Sequence, residues 1–280
     1  MDNITKLLFF DIDGTLAYAG STPLPSTLEA LTKARKNGCK IFLSTGRPDR
    51  LIPPAIEALK PDGGIYSAGA KIIYDGTSLY DRPMTNEEMN DIISILDQYK
   101  LPYCLEAAYA SYEKGMDILD NQEDSAFLNS ELRRLIDMRT SFISGSRPVS
   151  AYVDDPVYKI TFMSPDMDTI LSVKEALGDQ VTFVWFPMPR NELNILNGEI
   201  SLKGIDKGVA LLKICDHLGL TKDDCIAFGD SMNDAAMLKT AGIGVAMGNA
   251  DAATKAVADR VCEDCDQDGI AKELTRLGLV

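Results

Sequence analysis

The chain has 280 residues, which is enough for one large domain or two domains of modest size. Its net charge of −14 argues against nucleic acid and anionic membrane as partners, because a strongly acidic surface repels both. The six cysteines are too few for a disulfide scaffold, and no apolar run approaches membrane-spanning length. We therefore expect a cytoplasmic protein with reduced thiols.

The first third of the chain alternates strand and helix patterns. The predicted elements are a strand over Lys6–Asp11, a helix over Pro23–Asn37, a strand over Cys39–Ser44, a helix over Pro48–Leu59 and a strand over Gly64–Tyr66. This β-α-β-α-β order predicts a parallel sheet with right-handed crossovers.

The middle of the chain has a different, α+β pattern. Its predicted elements are a helix over Thr85–Lys100, a strand over Tyr103–Ala107, a polar helix from about 121 to 138, a strand over Tyr158–Met163, a helix over Met167–Leu177 and a strand over Val181–Phe186. The pattern predicts a separate domain inserted into the first.

The last third returns to the first pattern. Its predicted elements are a helix over Gly208–Leu218, a strand over Asp224–Phe228, a helix over Met232–Ala241, a strand over Gly244–Ala246 and a helix over Ala250–Asp259. The predicted fold is thus α/β, a Rossmann-like parallel-sheet core with helices on both faces plus an inserted α+β domain. We place the core in residues 1–82 and 190–280 and the insertion in 83–189.

Acidic residues follow the predicted core strands. Asp11 and Asp13 follow the first strand, and Asp230 and Asp234 lie just beyond the strand that ends at Phe228. Because ligands bind at the carboxyl edge of a parallel sheet, these carboxylates are expected to converge there. Clustered carboxylates repel each other unless a cation lies among them, and hard oxygen ligands suit Mg²⁺.

Asp11-x-Asp13 has two other possible interpretations, an EF-hand loop and a simple turn. An EF-hand loop starting at Asp11 would need Gly and Glu where Leu16 and Thr22 stand, so this interpretation fails. A simple Asp-Gly turn remains an alternative for this segment taken alone.

Four segments in order resemble the motifs of the haloacid dehalogenase-like phosphatase superfamily, and within it the Cof type, whose C2 cap lies between the second and third motifs. The resemblance covers nearly the whole chain. The segments are Asp11–Leu16, Ser44–Pro48, Asp206–Leu211 and Gly229–Asp234, with Met247–Ala250 as a further signature. One position departs, because Ala68 stands where the subfamily usually has Asn.

The resemblance implies a Mg²⁺-dependent phosphatase for small phosphorylated metabolites, sugar phosphates above all, that works through an aspartyl-phosphate. It implies Asp11 as nucleophile, Asp13 as acid and base, Thr45 as a hydrogen-bond donor to phosphate and Lys207 as the neutralising cation. The implied metal ligands are Asp11, Asp13, Asp230 and Asp234, and the implied phosphate contacts are Gly46, Arg47, Asn233 and Asn249.

Two other functions remain open at this point, a phosphomutase and a non-catalytic phosphate-binding module. The sequence carries no prediction of oligomeric state. Candidate substrate contacts in the cap are Glu106, Tyr109, Tyr152, Lys159, Trp185 and Arg190, with Trp185 more consistent with a core position. His217 is expected to be a packing or surface residue, and Cys262 and Cys265 form a lone CxxC without the second pair of a zinc site.

Overall fold

The structure is a computed structural model that describes residues 6–18, 22–120, 129–140, 145–186 and 195–280. The strands of this part of the chain are β1 (Leu7–Phe10), β2 (Lys40–Ser44), β3 (Gly63–Tyr66), β4 (Lys71–Tyr74), β5 (Thr77–Asp81), β6 (Tyr103–Ala107), β7 (Ser111–Lys114), β8 (Ser146–Pro148), β9 (Val157–Ser164), β10 (Val181–Phe186), β11 (Leu196–Leu202), β12 (Cys225–Gly229), β13 (Ile243–Ala246) and β14 (Arg260–Val261). The helices are α1 (Pro25–Lys36), α2 (Pro54–Glu57), α3 (Asn86–Gln98), α4 (Ser130–Thr140), α5 (Met167–Leu177), α6 (Lys207–Leu218), α7 (Ala235–Thr240), α8 (Ala252–Val257) and α9 (Gly269–Arg276). Within the described ranges, no helix combines the length and the apolar character needed to cross a bilayer.

The described residues group into two compact units. The first comprises those of Met1–Arg47, Ile52–Asp81 and Asp206–Val280, and the second those of Pro48–Leu51 and Arg82–Ile205. We call the first unit the core and the segment Arg82–Ile205 the cap. Strand β11 pairs with β9 and β10, so it belongs to the cap although it lies beyond residue 189.

The core is built on one sheet with the strand order β14-β13-β12-β1-β2-β3-β4-β5. The strands from β14 to β3 are parallel, and β4 and β5 add an antiparallel hairpin at one edge. Strand β1 is central, with β12 and β2 on either side, so the loops after these three strands open at the same edge. This confirms the predicted parallel core.

The buried strands of the core pack helices on both faces. In β1, Leu8 and Phe10 belong to the apolar cluster that contains residues of α1 and α9, whereas Leu7 and Phe9 belong to the cluster that contains residues of α6 and α7. Because successive side chains of a strand point to opposite faces, a continuous apolar run is the pattern expected of a strand covered on both sides.

The cap is built on a second, mixed sheet with the strand order β10-β11-β9-β6-β7-β8. Its pairs are antiparallel except for β7 with β8. The long strand β9 is buried throughout. An apolar cluster that includes Cys104, Met163 and Leu135 joins residues of β6 and β9 to residues of α4.

Three predicted elements differ from the structure. The helix expected over Pro48–Leu59 is a 3₁₀ turn over Asp49–Leu51 followed by the four residues of α2, because Pro53 and Pro54 lack the N–H groups of a continuous helix. The helix expected from Met232 begins as a 3₁₀ turn, and α7 starts at Ala235. The helix expected from residue 121 is α4, which is described from Ser130, and its expected beginning lies outside the described residues.

Candidate active site

The loop after β1 presents Asp11 and Asp13 at the carboxyl edge of the core sheet. The N–H of Asp11 donates to the Phe228 carbonyl of β12 at 3.0 Å, and the N–H of Gly14 donates to the Ala17 carbonyl at 2.8 Å, which closes the loop. Gly14 has a φ of +90°, and a Cβ there would lie 2.3 Å from Oδ2 of Asp230. The position therefore requires glycine both for its backbone conformation and for its contact with Asp230.

A buried cluster of carboxylates is formed by Asp11, Asp230 and Asp234. One oxygen from each lies within 4.8 Å of the others, and the three residues are 4%, 6% and 0% exposed. The hydroxyl of Thr15 donates to Oδ1 of Asp230 at 3.3 Å. Hard oxygen donors brought together away from water form a donor set that fits a divalent cation such as Mg²⁺.

Lys207 is fully buried at the first residue of α6. Its Nζ lies 2.7 Å from Oδ1 of Asp11 and 2.6 Å from Oδ1 of Asp234. Asp206 caps the helix by accepting from the N–H of Val209 at 2.8 Å, which fixes where the helix begins. Burial acts to lower the pKa of Lys207, but the two carboxylates outweigh it and hold the pKa well above its ordinary value. The lysine is therefore a permanent cation beside Asp11.

Asp234 uses both carboxylate oxygens within the protein. Oδ1 accepts from Lys207, while Oδ2 accepts from the N–H groups of Asp230 at 3.0 Å and Ser231 at 3.2 Å. Asp234 thus fixes both the lysine and the backbone that carries Asp230.

Without a further cation, the carboxylates of this site outnumber its positively charged side chains. Burial raises the pKa of Asp11 well above its ordinary range, against the opposing effect of Lys207, and the charges of Asp234 and Asp13 raise it further. Nearby positive charge would keep the Asp11 carboxylate ionised, so the site has the electrostatics of one completed by a metal ion.

The loop after β2 brings Thr45, Gly46 and Arg47 into the core, all buried. The N–H of Arg47 donates to Oγ1 of Thr45 at 3.1 Å, which leaves the threonine hydroxyl proton for another acceptor. The guanidinium of Arg47 donates two hydrogen bonds to the Asp13 carboxylate, from Nε to Oδ2 at 2.8 Å and from Nη2 to Oδ1 at 2.6 Å. Such a bidentate pair fixes the orientation of the Asp13 carboxylate. No sequence motif indicates this pairing.

The two candidate asparagines contact protein groups. Oδ1 of Asn233 accepts from the Ser231 hydroxyl at 2.8 Å and lies 3.5 Å from Nζ of Lys207. Asn249 donates from Nδ2 to the Gly14 carbonyl at 2.8 Å and accepts at Oδ1 from the N–H of Cys265 at 2.9 Å. Both asparagines thus lie in the network that organises the loops.

The histidine and the two CxxC cysteines, which lie outside the motifs, pack against other side chains of the core. His217 contacts the Tyr74 ring edge-on, with ring centroids 5.7 Å apart. Cys262 and Cys265 are buried in the core, and burial raises the pKa of each thiol to about 12, which makes both thiols poorly reactive.

The cap candidates are dispersed. Tyr109 is 57% exposed, Tyr152 packs edge-on against Tyr112, and Trp185 is half-buried with Lys174 over its ring. Arg190 lies outside the described residues.

Glu106 and Lys159 belong to a buried ion cluster that the sequence did not reveal as a unit. Arg134 of α4 binds Glu106 through Nη1 at 2.7 Å and Glu131 through Nε at 2.7 Å, and Lys159 pairs with Glu199. The members, which we call the cap charge cluster, are no more than 5% exposed and comprise Glu106, Glu131, Arg134, Lys159 and Glu199. When all five groups are ionised, the cluster contains three negative and two positive charges.

The burial of this cluster predicts that the stability of the cap depends on pH. Burial raises the pKa of Glu199 to about 7 from its ordinary value of 4.5, although Lys159 opposes the shift. Between these values the folded state holds a proton that the unfolded chain releases, so the free energy of unfolding falls as pH rises from 4.5 to 7. We expect Glu199→Gln to flatten this dependence in urea unfolding series, whereas Glu175→Gln on the exposed side of α5 keeps it. An unchanged profile in Glu199→Gln would show that another group titrates.

Comparison with known proteins agrees with this geometry. The family model for haloacid dehalogenase-like hydrolases matches residues 8–274. Pyridoxal phosphate phosphatase YbhA of Escherichia coli (strain K12) is 30% identical over 278 residues, covering 96% of this chain and 97% of that protein. 5-Amino-6-(5-phospho-D-ribitylamino)uracil phosphatase YcsE of Bacillus subtilis (strain 168) is 28% identical, covering 96% and 94%.

A solved structure is similar over the same length. The HAD subclass IIB sugar phosphatase BT4131 aligns with a TM-score of 0.79 at 26% identity, covering 99% of this chain and all of that one. Nearly the whole length is therefore shared with phosphatases in sequence and in fold. The chain belongs to the haloacid dehalogenase-like hydrolase family and is a phosphatase of its Cof type, with a cap inserted into the core.

Proposed function

We propose that this phosphatase is Mg²⁺-dependent and hydrolyses small phosphorylated metabolites, sugar phosphates in particular, through an aspartyl-phosphate on Asp11. The observation that carries the proposal is the position of Lys207, whose Nζ lies within 2.7 Å of both Asp11 and Asp234 in a buried site. A buried lysine bound to a carboxylate nucleophile provides fixed positive charge where the substrate phosphate brings negative charge.

The donor set supports Mg²⁺ as the metal. Asp11, Asp230 and the main-chain carbonyl of Asp13 are the proposed ligands, with Asp234 holding Asp230 in place through its N–H. When bound, the ion supplies positive charge that lets an anionic nucleophile approach an anionic phosphate.

The chain's own residues then account for two chemical steps. In the first, the Asp11 carboxylate attacks phosphorus, the bond from phosphorus to the leaving oxygen breaks, and Asp13 gives that oxygen its proton. In the second, Asp13 takes a proton from the water that attacks the aspartyl-phosphate, and Asp11 and inorganic phosphate are released. Arg47 orients Asp13 for both transfers through its two hydrogen bonds.

The phosphate group is held by donors of the second and fourth motifs. We assign the free hydroxyl proton of Thr45 and the backbone at Gly46 to the phosphoryl oxygens, with Asn233 beside Lys207. Arg47, for which the family resemblance implies a phosphate contact, is paired with Asp13 in this structure.

The substrate class is supported by the names of the relatives. One is a phosphatase of pyridoxal phosphate, another of 5-amino-6-(5-phospho-D-ribitylamino)uracil, and a structurally similar protein is a sugar phosphatase. Each compound is a small molecule. The cytoplasmic location expected from the sequence stays a prediction.

The test is phosphate release from a panel of hexose phosphates, pentose phosphates and pyridoxal 5′-phosphate, with Mg²⁺ and with EDTA. We expect the highest kcat/KM for a sugar phosphate, loss of activity in EDTA and recovery when Mg²⁺ is restored. Activity that persists in EDTA would refute the metal assignment, and a strong preference for pyridoxal 5′-phosphate would refute the sugar preference. An isomerised phosphosugar without released phosphate would instead identify a phosphomutase.

A further inference from the structure

Asn249 links three segments that are distant in the sequence. It lies just after β13, its Nδ2 donates to the Gly14 carbonyl at 2.8 Å, and its Oδ1 accepts from the N–H of Cys265 at 2.9 Å. One partner is a carbonyl and the other an N–H, so only one orientation of the amide satisfies both. The amide oxygen and one of the two N–H donors of the amide nitrogen are thus committed to backbone groups.

The Gly14 peptide lies against a proposed metal ligand. A Cβ on Gly14 would approach Oδ2 of Asp230 to 2.3 Å, and the neighbouring Thr15 hydroxyl donates to Oδ1 of the same carboxylate at 3.3 Å. The N–H of Gly14 is fixed by the Ala17 carbonyl, so Asn249 provides the restraint on the other side of this residue. A small movement of Gly14 would therefore change the distance from the Asp13 carbonyl to Asp230.

We propose that Asn249 is a positioning residue that holds the Asp13–Gly14 segment against Asp230 and so sets the spacing of the metal ligands, without contacting the phosphate. The inference rests on the proposed function, because it takes Asp13 and Asp230 as ligands. A side chain bound through its amide to two backbone groups acts on the site through the loop that it holds.

Two variants separate the parts of this role. Asn249→Asp keeps an acceptor for the Cys265 N–H but places a carboxylate oxygen opposite the Gly14 carbonyl, and Asn249→Ala removes both bonds. Asn37→Asp is the matched control, because Asn37 also donates through Nδ2 to a backbone carbonyl, that of Leu279 at 3.0 Å, with a partner outside the four motifs.

The measurements are Mg²⁺ binding by calorimetry and the kinetics of p-nitrophenyl phosphate and one sugar phosphate. For both Asn249 variants we expect Mg²⁺ affinity and kcat to fall about 10- to 100-fold, the range seen for groups that orient metal ligands. The KM values should stay within about twofold, and kcat should fall by the same factor for both substrates. Asn37→Asp should match the wild-type protein in Mg²⁺ binding and turnover.

Three outcomes would overturn the inference. A raised KM with unchanged Mg²⁺ binding would make Asn249 a substrate contact. Wild-type kinetics in Asn249→Ala would remove any role, and equal Mg²⁺ affinity of the wild type and Asn249→Ala would remove the positioning role. If the wild-type protein shows no turnover, the proposed function fails while the calorimetric comparison still decides the role of Asn249.

Discussion

Asp11→Asn is expected to lower kcat by about 10⁴- to 10⁶-fold, the scale of loss when a covalent nucleophile is removed. The amide has nearly the shape of the carboxylate but does not attack phosphorus. Folding should be preserved, because the site places an excess of carboxylates beside Lys207, so removing one charge relieves repulsion. Single-turnover phosphate release and thermal unfolding in EDTA measure the two effects, and we expect the melting temperature to be unchanged or higher.

Two further variants serve as a control and a comparison for Asp11→Asn. Asp216→Asn, on the exposed side of α6, should retain wild-type turnover. Asp13→Asn should lose about 10²- to 10⁴-fold with a sugar phosphate and less with p-nitrophenyl phosphate, whose leaving group needs no proton. If Asp11→Asn retained wild-type activity, the nucleophile would have to be another residue.

Arg134→Met is expected to destabilise the cap by about 3–5 kcal/mol, the cost of removing one partner from a buried ion pair. The guanidinium bonds to both oxygens of Glu106 and to Glu131, and it is 1% exposed. Without it, the buried carboxylates of Glu106 and Glu131 would lose these charged hydrogen bonds. Urea unfolding, monitored through hydrogen exchange of the β6 and β9 amides, would measure the loss of stability within the cap.

The control is an ion pair of the same unit in a different environment. Lys114 and Asp97 lie 2.7 Å apart, but their side chains are 50% and 40% exposed, so Lys114→Met should cost about 1 kcal/mol or less. Adding Glu106→Gln to Arg134→Met should recover part of the stability, because it removes a charge that has lost its partner. Equal effects of Arg134→Met and Lys114→Met would show that the cluster is not effectively buried.

The fold was predictable where apolar runs were continuous and bounded by turns. The runs that became β1, β2 and β12 carried this signal, and the structure confirms the parallel core they predict. The hairpin of β4 and β5 was missed, although Asp75 and Gly76 both have positive φ in its turn and Asp-Gly is a strong hairpin signal. Strand β11 was missed because Asn197, Gly198 and Glu199 interrupt its apolar pattern, although all three pair with residues of β9 in the cap sheet.

The site was predictable in its members but not in its pairings. Asp11 and Asp230 meet because the ends of the adjacent parallel strands β1 and β12 lie at one edge, and Lys207, which the family resemblance supplied, reaches Asp11 from the start of α6. The pairing of Arg47 with Asp13 depends on side-chain rotamers, which sequence spacing does not determine. The cap charge cluster was equally hidden, since its members come from separate strands and a helix of the cap and share no sequence motif.

The strand order of the core has a consequence for how the protein matures on the ribosome. Strand β1 is made long before β12, which is one of its two neighbours and whose Cys225 pairs with Leu7. The cap sequence lies between them and finds its partners within itself, so we expect it to fold while β1 still has an open edge. An unpaired apolar strand is prone to associate with other chains, so the growing chain is most vulnerable to aggregation before the last third emerges. Closure of the core around β1 is then the step that both protects the chain and assembles the active site.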